Sequence, residues 1–291
     1  MRKFFIVFSF ILLSTITLSV SAQTYELHLD DKDSGRGQTK VSLPITVDTA
    51  KWSIVYIHVR KDTFLNQERT DFEMLQVGDT HRWYGGYGDF RLDSIQRVDP
   101  DKLTRMNHSE CLKFMNEVKT VSEEMLISLQ TDSLDFYDRV FLDSYRYAEP
   151  VPVFDWKLED ESCKVMGYTC FKATAHWRGR DWTAWYSDIP APYGPWKFNG
   201  LPGLILRLED STGSHLFEAI ETKNTPAPFG YPKKKYINII RIKFNSALKY
   251  YKENAADIIK KSNMIQSISS SSGSNKKKGK RCLFFVPIEL E

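Results

Sequence analysis

The chain lacks most of the signatures by which an enzyme shows its chemistry. Its four cysteines include no Cys-x-x-Cys, which excludes a thioredoxin-type redox pair and a zinc ribbon. The run Gly85-Gly86-Tyr87-Gly88 has neither the Gly-x-Gly-x-x-Gly spacing at a helix start nor the lysine of a P-loop, so it reads as a flexible loop or bulge. His108 and Cys111 fall three apart, but two ligands make no metal site, and surface or capping roles account for them. No metal and no cofactor is expected. Past the N-terminus no window approaches the roughly 20 apolar residues of a membrane-spanning helix, so no transmembrane segment is expected. Formal net charge is only +3. The clusters Lys233-Lys234-Lys235 and Lys276-Lys277-Lys278-Gly279-Lys280-Arg281 come without a groove-reading motif or interleaved aromatics; they read as a solvated basic tail, and no nucleic-acid partner is expected.

What is present begins with an address. Met1-Arg2-Lys3, an apolar stretch from Phe4 to about Leu18 and the small-residue end Val20-Ser21-Ala22 have the order of a secretory signal peptide. Residues 1–22 are expected to be cleaved after Ala22 and the mature protein to be exported, to the periplasm or the cell surface. No cysteine sits at or just after the expected cleavage point, so a lipid anchor on a new N-terminal cysteine is not expected. The remaining chain, about 270 residues, is hydrophobic and aromatic enough to bury a core. In an oxidising compartment four cysteines invite disulfides. Cys163 to Cys170 reads as a hairpin turning at Met166-Gly167, which sets Val165 opposite Tyr168, Lys164 opposite Thr169 and Cys163 opposite Cys170. Directly opposed residues lie about 4.5 to 5.5 Å apart, so a Cys163–Cys170 bridge is expected. Cys111 and Cys282 are too distant in sequence to be paired by spacing.

Along the chain the period is mostly two. Tyr25 to Asp30 reads as a short edge strand; Trp52 to Arg60, Asp71 to Val77 and Arg82 to Tyr84 follow as strands. Asp99-Pro100 reads as a helix start, with Leu103, Cys111, Phe114 and Val118 on one face of a helix to about Lys119. Then come strands at Met125 to Leu129, Phe136 to Tyr145, Val153 to Glu159, Tyr168 to Trp177, Asp181 to Tyr186, Leu204 to Leu208 and His215 to Ile220, joined by short turn-rich segments. In Tyr168 to Trp177, Phe171, Ala173, Ala175 and Trp177 are expected on the core face. Asn245 to Met264 reads as a second helix with Leu248, Tyr251, Ala255, Ile258 and Ile259 on one stripe. The serine tract Ser267 to Asn275 cannot offset its ordering entropy. The end, Cys282 to Leu290, is apolar enough to dock as a last strand. The fold class is therefore a β-rich α+β protein: a curved antiparallel sheet, meandering and half-barrel-like, with one or two covering helices. The organisation is a signal peptide (1–22), one β-rich domain (23–265), a mobile Ser/Lys-rich segment (266–281) and a docking C-terminal strand (282–291).

The densest punctuation lies between Gly194 and Asp210. In Leu201-Pro202-Gly203-Leu204 proline presets φ and glycine is expected to take the positive φ of a type II turn; Asn199-Gly200 is a second turn signal, and Leu204-Ile205-Leu206 opens a buried strand. Together Gly194, Pro195, Asn199, Gly200, Leu201, Pro202, Gly203, Leu204 and Ile205 form the run on which the chain is organised. This run resembles the signature of the GLPGLI family, exported proteins of Bacteroidota, whose name stands here as Gly200 to Ile205. The flanks match too: Met166-Gly167-Tyr168-Thr169-Cys170-Phe171-Lys172-Ala173-Thr174, Arg178-Gly179-Arg180, Ala184-Trp185-Tyr186-Ser187-Asp188-Ile189-Pro190, Gly194-Pro195-Trp196-Lys197-Phe198-Asn199, and the closing Pro287-Ile288-Glu289-Leu290. The resemblance implies an exported β-rich protein and names no reaction.

Function is read from side chains. Trp177, Trp182, Trp185, Tyr186 and Trp196, with Arg178 and Arg180 among them, are aromatic and basic enough to form a binding face; the same aromatics serve equally as core, since strands favour them. Arg178-Gly179-Arg180 reads most simply as a hairpin loop whose arginines pair with surface carboxylates. His176 with Asp181 or Asp188 is the one base available to a hydrolase, and no activated nucleophile stands beside it, so catalysis is not expected. The expectation is a non-enzymatic envelope protein that binds a protein partner or a lipid or peptide ligand on its sheet, with a carrier of lipid or lipidated cargo as the alternative.

Overall fold

The structure, a computed structural model, describes residues 26–29, 37–40, 43–118, 121–261 and 283–291. The signal peptide, the serine tract, the lysine cluster at 276–281 and Cys282 lie outside the described residues. The chain forms β1 (Glu26–Leu29), β2 (Gly37–Lys40), β3 (Ile45–Ala50), β4 (Trp52–Asp62), β5 (Gln67–Val77), β6 (His81–Gly86), α1 (Tyr87–Val98), α2 (His108–Val118), β7 (Glu124–Ser128), β8 (Ser133–Val140), β9 (Asp143–Pro150), β10 (Lys157–Val165), β11 (Tyr168–Trp177), β12 (Arg180–Ser187), β13 (Ile205–Asp210), β14 (His215–Lys223), β15 (Ala227–Tyr231), β16 (Ile237–Asn238) and α3 (Arg241–Lys261).

Twelve strands make one open sheet in the order β10-β11-β12-β13-β14-β4-β5-β6-β7-β8-β9-β16. Every pair is antiparallel except the short β16 on β9. Two meanders, β4 to β9 and β10 to β14, are therefore stitched side by side through β14 and β4. Val165, Trp182 and Ile205 from one wing share a single buried cluster with Tyr84, Ile127 and Phe136 from the other, so the sheet curves around that core. Alternation explains a second core behind it. On the central strands Ile54, Leu75, Tyr84 and Phe136 face the concave side, while their chain neighbours Val55, Met74, Trp83 and Tyr137 pack on the convex side with β15. A strand covered on both faces reads as a continuous apolar run, as Ile54-Val55-Tyr56 does.

Several expectations are corrected. The glycine-rich run is no loop: β6 ends at Gly86 and α1 starts at Tyr87, burying Gly88, Asp89, Leu92 and Gln96. Asp99 closes that helix instead of opening the next one. The next helix begins at His108 because Asn107 and Glu110 cap each other, the Glu110 N–H donating to Asn107 Oδ1 at 3.0 Å and the Asn107 N–H to Glu110 Oε2 at 2.9 Å. Leu103, Cys111 and Val118 are nevertheless buried together. The stretch from Phe136 to Tyr145 is two strands, with Phe141 at φ 58° turning between them. On β11 Ala173 and Ala175 are buried as expected, but Phe171 is exposed and Cys170 buried. The hairpin register holds residue for residue, Cys163 facing Cys170. The two thiols are nonetheless free; that of Cys170 is turned toward the Tyr168 carbonyl at 3.8 Å. Residues 283–291 dock without joining the sheet, since Pro287 offers no N–H to a ladder and the segment is held largely by side chains. Among the described residues no helix is long and apolar enough to cross a membrane.

Candidate functional site

Between β12 and β13 the chain folds into a compact loop stitched by its own backbone. The N–H of Ser187 donates to Leu204 O at 2.9 Å, that of Leu204 to Ile189 O at 3.0 Å, and that of Ile205 to Tyr193 O at 2.9 Å. The tight turn is Pro195 to Phe198, closed by a 3.1 Å bond between its ends, with Trp196 at φ 54°. The type II turn expected at Pro202-Gly203 is not there: Gly200 carries the positive φ, at 89°, and Gly203 does not. Gly203 is required for space, because a Cβ on it would lie 1.8 Å from the Ser187 carbonyl oxygen. Asn199 locks the turn, its amide donating to Pro152 O at 3.1 Å and Lys197 O at 2.8 Å.

The loop delivers Lys197 into the protein. Its side chain is fully buried, and Nζ donates to Glu149 at 2.6 Å, Glu289 at 2.7 Å and the Tyr147 hydroxyl at 3.0 Å. It also lies 4.5 Å from the centre of the Trp196 ring. Arg178 binds Glu149 at 2.7 Å and also Glu289, and Arg241 of α3 binds Glu289 at 2.9 Å. Burial alone would raise the Glu289 carboxyl; the Lys197 and Arg178 charges override it and hold the group below the usual carboxylate range. The C-terminal segment is fixed here: Glu289 by these three cations, the Leu290 N–H by the Arg178 carbonyl at 3.0 Å, and Pro287 O by Arg180 at 2.8 Å.

A second polar system climbs the concave face of β4 and β5. Tyr56, His58 and Arg60 alternate with apolar residues on β4 and stand across from Glu73, Asp71 and Arg69. Tyr84 donates to Glu73 Oε2, Glu73 Oε1 meets His58 Nδ1 at 2.9 Å, His58 Nε2 meets His215 Nδ1 at 3.1 Å, and His215 Nε2 meets Pro287 O at 3.3 Å. A carbonyl can only accept, so His215 carries its proton on Nε2 and, when neutral, accepts at Nδ1 from His58 Nε2. His58 Nδ1 is then bare, and Glu73 must donate to it. The neutral row thus keeps its proton on Glu73. Burial pushes that carboxyl up to about 7, and holds both imidazoles well below their usual value, with Arg60 adding to the effect at His58 and then His58 and Arg180 at His215.

Between α3, β8 and the C-terminal segment lies a cavity of about 800 Å³. Aromatic rings line it: Phe136 and Tyr147 stack at 4.7 Å, with Phe244 of α3 5.6 Å and 5.7 Å from them, and Phe141 sits 5.7 Å from Tyr251. Charged groups line it as well, among them Arg60, Arg69, Glu123, Asp138, Arg139 and Lys252. Glu123 Oε1 and Arg60 Nε are buried without a hydrogen-bond partner. Burial, then the neighbouring Glu73, pushes the Glu123 carboxyl up to about 8.

The residues expected to form one binding face are divided. Trp182 and Trp196 are buried, at 1% and 4% exposure, in a cluster with Phe198, while Trp177, Trp185 and Tyr186 are half-buried. Three residues apart on a strand, Trp182 and Trp185 project to opposite sides. Only Trp196 of the set lines the cavity. Arg178 and Arg180 do not reach for surface carboxylates but turn inward, Arg180 onto Asp210 at 2.6 Å. His176 pairs with Asp181 at 2.6 Å on the surface, both side chains largely exposed. Among the described residues no group of three or more His, Cys, Asp or Glu is placed to hold a metal ion. Lys197, His58, Glu73 and Glu123 were not singled out from the sequence; the usable signal was the alternation of polar residues at 56, 58 and 60 and at 69, 71 and 73 within otherwise apolar strands.

No protein-family profile and no curated protein matches this chain. Among solved structures it is similar to PNGF-II, seen in a C2 space group at a TM-score of 0.44 and 13% identity, over 71% of this chain and 34% of that one. The same protein in a P21 space group gives 0.43 and 12% over the same shares. The chain thus spans about a third of the length of those structures.

Proposed function

We propose that this protein is an exported, non-enzymatic binding protein of the cell envelope, and that its ligand sits in the cavity under α3 and the C-terminal segment. The observation that carries the reading is the cavity itself. Its volume of about 800 Å³ falls within the roughly 300 to 1,000 Å³ of small-ligand sites, and it joins aromatic walls to a few convergent polar groups, the usual composition of such sites. The signal-like N-terminus and the resemblance to the GLPGLI family support export. His176, the base that the sequence offers a hydrolase, lies exposed on the β11–β12 hairpin beside Asp181 and does not line the cavity.

Native mass spectrometry of the mature protein, purified from its own envelope under non-reducing conditions, tests this. A discrete extra mass is expected, and Leu248→Trp, which narrows the cavity from α3, is expected to reduce it. A clean polypeptide mass from every preparation would overturn the reading and favour a protein partner sought by cross-linking. The same spectrum reports Cys163 and Cys170: we propose that the directly facing pair closes to a disulfide after export, the disulfide of a thiol oxidase taking up the two electrons and two protons by exchange, so that the mass falls by two hydrogen atoms.

A further inference from the structure

From Thr222 to Lys252 the chain carries eight lysines and arginines and no aspartate or glutamate, against a formal net charge of only +3 for the whole. The remainder of the chain is therefore net acidic, and the positive charge is gathered in this one stretch. Half of it is engaged nearby: Lys223 pairs with Glu221 at 2.6 Å, Arg241 binds Glu289, Lys252 lines the cavity and Lys234 is half-buried before β16. Lys233, Lys235, Lys243 and Lys249 are exposed and form no ion pair among the described residues.

The same stretch exposes hydrocarbon. Ile237, Ile240, Ile242 and Tyr250 are between 48% and 63% exposed, three of them within six positions, whereas ordinary surfaces scatter such side chains singly. The fold keeps them together. β16 ends the sheet after two residues, the Ile239 N–H donates to Arg146 O at 3.0 Å, and α3 starts at Arg241. Phe244 and Ala255 are the buried residues of that helix, with Leu248 packed on the core beside them. Ile242 and Lys249 are seven residues apart, as are Lys243 and Tyr250, so on a 3.6-residue period these four share one outward side, about 10 Å long. Ile242 and Lys249 stand at the rim of the cavity, Lys243 and Tyr250 away from it.

This mixture selects a partner. The centres of protein interfaces are depleted in lysine. A bilayer surface accepts both kinds of group at once: anionic head groups meet the ammoniums, lysine stems and isoleucines reach the acyl boundary, and tyrosine keeps its hydroxyl in water. Independently of the cavity reading, we infer that the surface formed by the β15–β16 loop, β16 and the outward side of α3 docks on an anionic phospholipid membrane. Ile240, Ile242 and Tyr250 sit at the head-group boundary, and Lys233, Lys235, Lys243 and Lys249 meet the phosphates.

The test is co-sedimentation of the full mature protein with large unilamellar vesicles of phosphatidylcholine, alone or with about one-third phosphatidylglycerol. The anionic vesicles are expected to bind at least about thirtyfold more tightly, and raising sodium chloride from about 0.05 to about 0.5 M to weaken that binding at least about tenfold. Lys235→Gln/Lys243→Gln is expected to lower affinity for the anionic vesicles about tenfold or more. Ile240→Ser/Tyr250→Ser is expected to lower it about threefold or more with the salt dependence kept. Equal binding to the two vesicles, or binding to neither, would overturn the inference. Undiminished binding by the lysine variant would place the lipid on other cations and overturn it as well. An unaffected Ile240→Ser/Tyr250→Ser would reduce the contact to long-range attraction and remove the docking surface. Dextran sulfate bound in place of vesicles would identify an anionic polysaccharide and likewise overturn it. Melting temperatures equal to wild type show that a lost affinity is not lost folding. None of Lys235, Ile240, Lys243 and Tyr250 lines the cavity, so these variants keep any extra mass seen by native mass spectrometry, and the two readings fail separately.

Discussion

The two ionic clusters under the C-terminal segment differ in one respect that decides their roles. Around Lys197 no buried atom of the ionic groups lacks a partner: its three donors go to Glu149, Glu289 and Tyr147, and the two carboxylates are shared with Arg178 and Arg241. In the other cluster Arg60 and Arg69 share the single carboxylate of Asp71, and two buried atoms, Arg60 Nε and Glu123 Oε1, have no hydrogen-bond partner. A closed cluster fixes structure, because removing any member strands the others in low dielectric. One with partnerless buried atoms costs stability that the fold must supply elsewhere. The contrast separates the latch of the C-terminal segment from a region whose polar atoms are not all satisfied.

Breaking the closed cluster gives the largest expected effect. Lys197→Ala empties a fully buried position and removes its bonds to Glu149, Glu289 and Tyr147, leaving the carboxylates to Arg178 and Arg241 alone, and is expected to cost about 3 kcal/mol by denaturant unfolding. A loss below about 1 kcal/mol would mean that water reaches the cluster and that it is no latch. Gly203→Ala comes next. The added Cβ must displace the Ser187 carbonyl, which starts 1.8 Å away, with an expected loss of about 1–3 kcal/mol. The comparison is with Gly200→Ala, which has open space and suffers only its positive φ, for about 1 kcal/mol. If the second variant proved the weaker, the close approach at Gly203 would not be the constraint.

The third prediction concerns the row that joins the two clusters and is smallest at neutral pH. Glu73 has its folded value raised from 4.5 to about 7. Its contribution to stability is therefore fully present below about 4.5 and is lost as pH rises through 7, because the folded state holds the extra proton. His58 and His215 are shifted down, so their contribution is present above 6.5 and lost as pH falls. Because the histidines act in the opposite direction, the carboxyl is isolated by comparing variants. Glu73→Gln, whose amide donates to His58 at any pH and whose oxygen still accepts from Tyr84, is expected to remove the Glu73 contribution, so that wild-type stability falls relative to the variant's by up to about 1.4 kcal/mol per pH unit between pH 4.5 and 7, measured by denaturant unfolding. An unchanged slope in this variant would remove Glu73 as the proton store.

Local chemistry was legible where neighbours in sequence are neighbours in space. The hairpin at Met166-Gly167 is a case: both residues take positive φ, at 52° and 84°, and two turn residues fix the register on each side. The helix face Leu103, Cys111 and Val118 was legible for the same reason, whereas its start was not, since a capping box at Asn107 competed with the Asp-Pro signal at Asp99. Turn chemistry located the loop at Gly200 to Gly203 but assigned the wrong glycine to it. Whether a glycine serves φ or space depends on what approaches it, and Ser187 comes from another strand.

The sequence by itself determined the period-two strands, the hairpins and hence a β-rich meander, because strand alternation and two-residue turns are properties of adjacent residues. Only the tertiary structure decided where the charges go. Lys197 finds its partners 48, 50 and 92 positions away, and His58 meets His215 across 157. A lysine between Trp196 and Phe198 looks like any surface lysine until curvature of the sheet closes over it. Burying it then requires carboxylates, and those come from β9 and from the far end of the chain.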